Sequence, residues 1–239
     1  MKQKILLITG WGGGTKLLNS FKNSLESKGF EVHLMNIFNA LDPHELEKNV
    51  EFAKTFDVMI GWSLGGQLAT ILVDQIQQKY HEQKILITIA SNPCFVANEN
   101  WQTAMPQATF QSFKASFEHD AIATLKKFGY MVCQGVSTSK VDFISLQSLI
   151  QPQPLNLLKQ GLAMLEQLNL VSILENYSGK QYHIFAEQDV LVDCKVAQYL
   201  QKIPAKFLEI ENIEGSHGLP VFKFDLLTDK ICHYLEKNN

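Results

Sequence analysis

The chain has 239 residues, enough for one globular domain with an insertion. With 46% hydrophobic residues, 19% charged residues and a net charge of −3, it is built like a soluble protein and lacks the basic excess of a nucleic-acid binder. No apolar run approaches the ~18 residues of a membrane span, and Ile5-Leu6-Leu7-Ile8 is too short for a signal peptide. Cys94, Cys133, Cys194 and Cys232 form no C-x-x-C pair, so reduced thiols and a cytoplasmic setting are expected.

Lys4–Thr9 reads as a buried strand that empties into Gly10-Trp11-Gly12-Gly13-Gly14. Leu17, Leu18, Phe21 and Leu25 follow at helical spacing, and Gly29 stops that helix. Glu31–Asn36 is a second strand, and Asp42-Pro43 opens a helix through about Phe56. Asp57–Trp62 is a third strand, followed by a helix from Leu64 with Leu68, Ile71 and Leu72 on one face. Lys84–Ala90 is another strand. Residues 98–174 show helical patterns, such as Leu155, Leu158, Leu162 and Leu165, and no convincing buried strand. The alternation returns with a strand at Gln181–Ala186, a helix at Cys194–Lys202, a strand at Lys206–Ile210 and a closing helix at Phe222–Lys237. This rhythm predicts an α/β fold with a doubly wound, mostly parallel sheet. Its core is residues 1–97 and 175–239, and residues 98–174 form an inserted helical cap.

The strongest chemical signal is Gly61-Trp62-Ser63-Leu64-Gly65-Gly66, between a buried strand and an amphipathic helix. A G-x-S-x-G turn in that setting is a nucleophile elbow of an α/β-hydrolase, which lifts the Ser63 hydroxyl over the sheet edge. The plain alternative is a glycine-rich turn with serine as the helix cap. A serine hydroxyl needs a base, and in this fold the acid and then the histidine follow the serine. His33 precedes the serine, and His183 lies inside a strand. His217, in Glu214-Gly215-Ser216-His217-Gly218, sits just past the last strand on a loop that can swing its imidazole to Ser63. Asp189 is the best-placed acid, just beyond its strand, with Glu187 and Asp193 as alternatives. The backbone N–H groups of Leu64 and Trp11 are expected to form the oxyanion hole. The glycines at 12–14 lack the lysine and spacing of a phosphate loop.

These residues resemble the pimeloyl-acyl carrier protein methyl ester esterases of biotin synthesis. The resemblance spans most of the chain. It rests on Gly10-Trp11-Gly12, on the elbow and on Ala90-Ser91-Asn92-Pro93-Cys94-Phe95 followed by Trp101. Phe128, Gly161-Leu162 with Leu165, Asp189 and His217 extend it. It implies a triad of Ser63, Asp189 and His217, oxyanion donors at Trp11 and Leu64, and Trp11 and Phe128 against the acyl group. It also implies a basic cap face for an acyl carrier protein, where Lys126, Lys127 and Lys140 stand. A solvated helix face is the plainer reading of those lysines. The chain departs from the family in three ways. It opens directly on the first strand without the usual hairpin. Thr9 replaces the usual histidine, and Ala123 and Ile144 occupy cap positions that are usually basic.

The expected protein is a monomeric cytoplasmic serine carboxylesterase that needs no metal or organic cofactor. Its substrate is the methyl ester of pimeloyl-acyl carrier protein, and it has no nucleic-acid or membrane partner. A short-chain carboxylesterase or thioesterase of the same fold is the first rival. A non-catalytic ligand-binding member is the second.

Overall fold

A computed structural model describes residues 2–237. Its centre is a six-stranded sheet in the order β2-β1-β3-β4-β5-β6. The strands are β1 (Lys4–Ile8), β2 (Glu31–Met35), β3 (Val58–Trp62), β4 (Ile85–Ile89), β5 (Gln181–Ala186) and β6 (Leu208–Ile213). Every neighbouring pair is parallel, so the sheet is parallel throughout rather than mostly so.

The apolar runs explain this arrangement. Successive side chains of a strand point to opposite faces. Leu6 and Ile8 therefore enter one core, and Ile5 and Leu7 enter the other. A strand apolar on both faces is stable only if helices cover both. On the first face lie α2 (Pro43–Ala53), α3 (Leu64–Tyr80) and α9 (Val196–Leu200). On the second lie α1 (Asn19–Ser27), α10 (Leu219–Phe222) and α11 (Phe224–Lys237). Asp42 caps α2 as its sequence suggests, its carboxylate accepting from the His44 and Glu45 N–H groups.

Between β4 and β5 the chain forms α4 (Gln107–His119), α5 (Ala121–Cys133), α6 (Ser139–Leu149), α7 (Leu155–Gln167) and α8 (Val171–Asn176). Phe110, Phe117, Leu158 and Leu162 bury α4 and α7 in the first core, while Val132, Cys133 and Leu146 bury α5 and α6 in the second. The inserted helices thus straddle the edge of the sheet. No helix among the described residues is long and apolar enough to cross a membrane.

Several boundaries shift by one to three residues from the sequence reading, α2 ending at Ala53 rather than about Phe56 and α9 spanning Val196–Leu200 rather than Cys194–Lys202. β6 begins at Leu208, two residues later than Lys206, and runs on to Ile213. It is an edge strand, so its register with β5, from Gln181↔Leu208 to Ala186↔Ile213, sets its limits. The closing helix, expected from Phe222, begins at Phe224, and a separate short helix, α10, precedes it and ends at Phe222.

Candidate active site

The chain runs from β1 to β2 on one side and from β3 outward on the other, so the topology switches between β1 and β3. In open α/β sheets the ligand crevice lies at such a point, beyond the carboxyl ends of the strands. Ser63 stands there, between β3 and α3, with φ 56° and ψ −122°. That is a strained conformation for a residue with a Cβ. Three hydrogen bonds hold it: Ser63 N–H to the Ile89 carbonyl at 2.9 Å, Gly66 N–H to the Ser63 carbonyl at 2.9 Å, and Ser91 Oγ to that same carbonyl at 2.8 Å. The flanking glycines are sterically required. A Cβ on Gly61 would lie 2.1 Å from the Gly65 carbonyl oxygen, and one on Gly65 would lie 2.4 Å from that of Ile8.

His217 and Asp189 come to Ser63 from the loops after β6 and β5. His217 Nε2 lies 2.9 Å from Ser63 Oγ, and His217 Nδ1 lies 2.7 Å from Asp189 Oδ2. The other oxygen, Oδ1, accepts from the Leu191 and Val192 N–H groups at 2.8 and 2.9 Å. An ionised carboxylate can only accept, so Nδ1 carries the proton and Nε2 is left to accept from the serine. Both side chains are almost wholly buried. The competing acids are elsewhere: Glu187 is exposed, and Asp193 is 59% exposed and accepts from the Lys195 N–H.

The loop carrying His217 is anchored rather than free to swing. Gly215 and Gln188 exchange two hydrogen bonds, Trp62 Nε1 donates to the His217 carbonyl at 2.9 Å, and Gly218 N–H donates to the Val132 carbonyl at 3.0 Å. These contacts join residues far apart in sequence, so local composition does not reveal them. The other histidines considered stay out of the site. His33 meets the Phe52 ring edge-on and the Phe56 ring at a tilt. His183 is fully buried within the sheet, Nδ1 2.7 Å from Thr88 Oγ1, and burial pushes its pKa down to about 4.

Leu64 is the first residue of α3, so its N–H is among the donors a helix leaves unpaired, at the positive end of the helix dipole. The loop with Trp11 passes beside the serine: a Cβ on Gly10 would lie 3.2 Å from Ser63 Cβ. Thr9 Oγ1 closes that loop by donating to the Gly14 carbonyl at 3.1 Å. Trp11 itself is buried. Its Nε1 donates to the Leu158 carbonyl at 2.8 Å, and the rings of Phe113, Phe117 and Phe128 meet it edge-on at 4.9–5.8 Å. A Cβ on Gly161 would lie 2.3 Å from Trp11 Cδ1, which gives that glycine its reason. Phe128 and Trp11 both line a cavity of about 260 Å³ under α5 and α6, and Lys126 stands at its rim. Lys126, Lys127 and Lys140 are exposed.

Three supporting roles escaped the sequence reading: Ser91 on the elbow carbonyl, Trp62 on the histidine loop, and Asn92 as a buried hub. Asn92 Oδ1 accepts from Trp101 Nε1 at 2.9 Å, its Nδ2 donates to the Thr103 carbonyl at 2.8 Å, and its own carbonyl accepts from Gln67 Nε2 at 2.8 Å. The Ser91-Asn92 step of the motif after β4 was the available signal. Among the described residues no cluster of three or more His, Cys, Asp and Glu side chains is placed to hold a metal ion.

No family model matches the chain. It is 28% identical to the pimeloyl-[acyl-carrier protein] methyl ester esterase of Shewanella woodyi, over 90% of this chain and 87% of that protein. It is 30% identical to the biotin biosynthesis bifunctional protein BioHC of Teredinibacter turnerae, over 86% of this chain but 40% of that longer protein. Among solved structures, a hydrolase from Oleispira antarctica superposes with a TM-score of 0.81 at 17% identity, covering 100% of this chain and 92% of its own. The chain has the α/β-hydrolase fold, and the pimeloyl-[acyl-carrier protein] methyl ester esterases are among the proteins its sequence is similar to.

Proposed function

We propose that this chain is a serine esterase that hydrolyses the methyl ester of a pimeloyl-acyl carrier protein, with Ser63, His217 and Asp189 as its catalytic triad. The observation that carries the reading is the buried hydrogen-bonded series Ser63 Oγ–His217 Nε2 and His217 Nδ1–Asp189 Oδ2. Ser63 Oγ attacks the ester carbonyl while His217 takes its proton. The developing oxyanion accepts from the Trp11 and Leu64 N–H groups. The carbonyl carbon–methoxy bond then breaks, and His217 returns the proton so that methanol leaves. Water attacks the acyl-enzyme through the same base, the bond to Oγ breaks, and the free carboxylate is released. Asp189 fixes the imidazole tautomer and stabilises its positive charge. Trp11 and Phe128 line the acyl path, and the exposed Lys126, Lys127 and Lys140 face an acidic carrier protein. The setting is the cytoplasm, consistent with four unpaired thiols.

A second reading is a general short-chain carboxylesterase or thioesterase. What favours it is that Ile144, 71% exposed, and Ala123, also exposed, stand where the resemblance calls for basic residues. Complementation separates the two. Expression in a bacterium that needs biotin because it lacks its own pimeloyl-carrier esterase is expected to restore growth, and the Ser63→Ala chain is expected not to. Hydrolysis of small esters without rescue would select the second reading.

A further inference from the structure

Two cavities meet at Trp11, and a third lies behind the second. The first, about 260 Å³, reaches the surface beside Ile122, which is 83% exposed, and Lys126. The second is a chamber of about 50 Å³ walled by Phe95, Phe110, Phe113 and Leu165. It shares only Trp11 and Phe128 with the first, so the two diverge at that pair. The third, about 540 Å³, shares Met105, Thr109, Met131 and Leu191 with the chamber and is otherwise bordered by polar groups such as Gln102, Asp193 and Lys195. One layer of side chains, two of them adaptable methionines, therefore separates the chamber from a polar outlet.

The esterase reading, on which this inference rests, puts the carbonyl oxygen at the Trp11 N–H. The two other substituents of that carbon must then diverge, as the two cavities do. An acyl chain tethered to a protein needs a route open to the surface, which the first cavity provides. The chamber is left for the alkoxy group. Its lining is apolar except for Thr109, so a charged group has no partner there. A cavity needs roughly 10–15 Å³ of the same measure to hold one water, so the chamber has room for about four heavy atoms. We propose that this chamber is the binding subsite for the alkyl group of the leaving alcohol, limited to about three carbons, and that the alcohol departs through the polar cavity behind it. A carrier protein seated at Lys126 covers the first mouth, and the second route lets methanol out while it stays bound.

The test uses the intact protein and two ester series, followed by acid release. One series varies the alcohol of butanoate esters from methyl through ethyl and n-butyl to benzyl. The other varies the acid of methyl esters from acetate to octanoate. Wild-type kcat/KM is expected to fall at least about tenfold between ethyl and n-butyl, since a single methylene that does not fit costs about 10–200-fold. No such break is expected along the acids. Phe113→Ala, with Phe113→Leu as the milder change if the first melts early, is expected to raise the n-butyl-to-methyl ratio about tenfold or more. Thr109→Trp, at an exposed position of α4, is expected to slow carrier-linked ester more than free methyl ester. A break along the acids instead of the alcohols would overturn the assignment, as would an unchanged n-butyl ratio in a folded Phe113 variant. Equal slowing of both substrates by Thr109→Trp would overturn the outlet. Failure to hydrolyse any ester would instead reject the esterase reading itself.

Discussion

The strand ends and the inserted helices meet at one site under different constraints. At the strand ends the backbone fixes each group. Ser63 is held in a left-handed conformation by three hydrogen bonds, Asp189 by two N–H groups on one oxygen, and the His217 loop by Trp62 and Gln188. In the insertion the contributions are side chains on helix faces: Phe113, Phe117 and Phe128 edge-on to Trp11, with Ile122 and Lys126 at a cavity rim. A group fixed by the backbone works at one geometry or fails. A packed helix face can be altered by degrees. Changes at the strand ends are therefore expected to act on kcat, and changes in the insertion on KM and substrate preference.

The largest expected effect is at Asp189. Asp189→Asn leaves the shape of the site but reverses the hydrogen bond that sets the His217 tautomer, and kcat for a short methyl ester should fall about 10⁴-fold. Asp193→Asn should change it less than about twofold, because that carboxylate is a surface acceptor. A larger loss at Asp193 would move the acid and undo the comparison at its firmest point.

Phe128→Ala comes next. Its ring lies 4.9 Å from Trp11 and borders two cavities. Deleting a partly buried aromatic should cost about 2 kcal/mol of stability, below the 3–5 typical of full burial. KM for long acyl esters should rise about tenfold while kcat changes little, since uniform binding is lost. A collapse of kcat instead would show that the insertion helps set the reacting geometry.

The smallest effect is the charge reversal of Lys126, Lys127 and Lys140 to glutamate. Each exposed pair contributes about 0.2–1 kcal/mol, so kcat/KM for the carrier-linked ester should drop roughly tenfold at low salt. The loss should shrink at about 1 M salt, where the screening length is ~3 Å. A free methyl ester should stay within about threefold, as expected of surface changes. Equal losses on both substrates would mean a damaged insertion rather than a docking face.

Legibility in the sequence follows the same division. The elbow could be read because strand, Gly-x-Ser-x-Gly and helix are contiguous, and each glycine answers to a clash within a few residues or one strand away. Asp189 stood out from Glu187 and Asp193 by its distance from the strand end, a local measure. The anchoring of the His217 loop was not legible. Trp62 reaches it across 155 residues, and nothing near either residue announces the contact. The insertion could be read as helices from leucine spacing, but which helix faces meet Trp11 depends on packing. Trp11 Nε1 finds its acceptor 147 residues away, at Leu158. The division of the space around Trp11 into cavities depends on packing in the same way. The edge strand β6 was misplaced because edge pairing, rather than a run of apolar residues, decides its limits.

The central claim is that Ser63 is the nucleophile, activated by His217. The most direct measurement is covalent labelling of the intact protein with a fluorophosphonate, with the modified residue located by peptide mass spectrometry. A single adduct on Ser63 is predicted, abolished by Ser63→Ala and slowed by about 10³-fold or more in His217→Ala, since the hydroxyl depends on its base. An adduct on another serine, or labelling of Ser63 at an unchanged rate without His217, would contradict it.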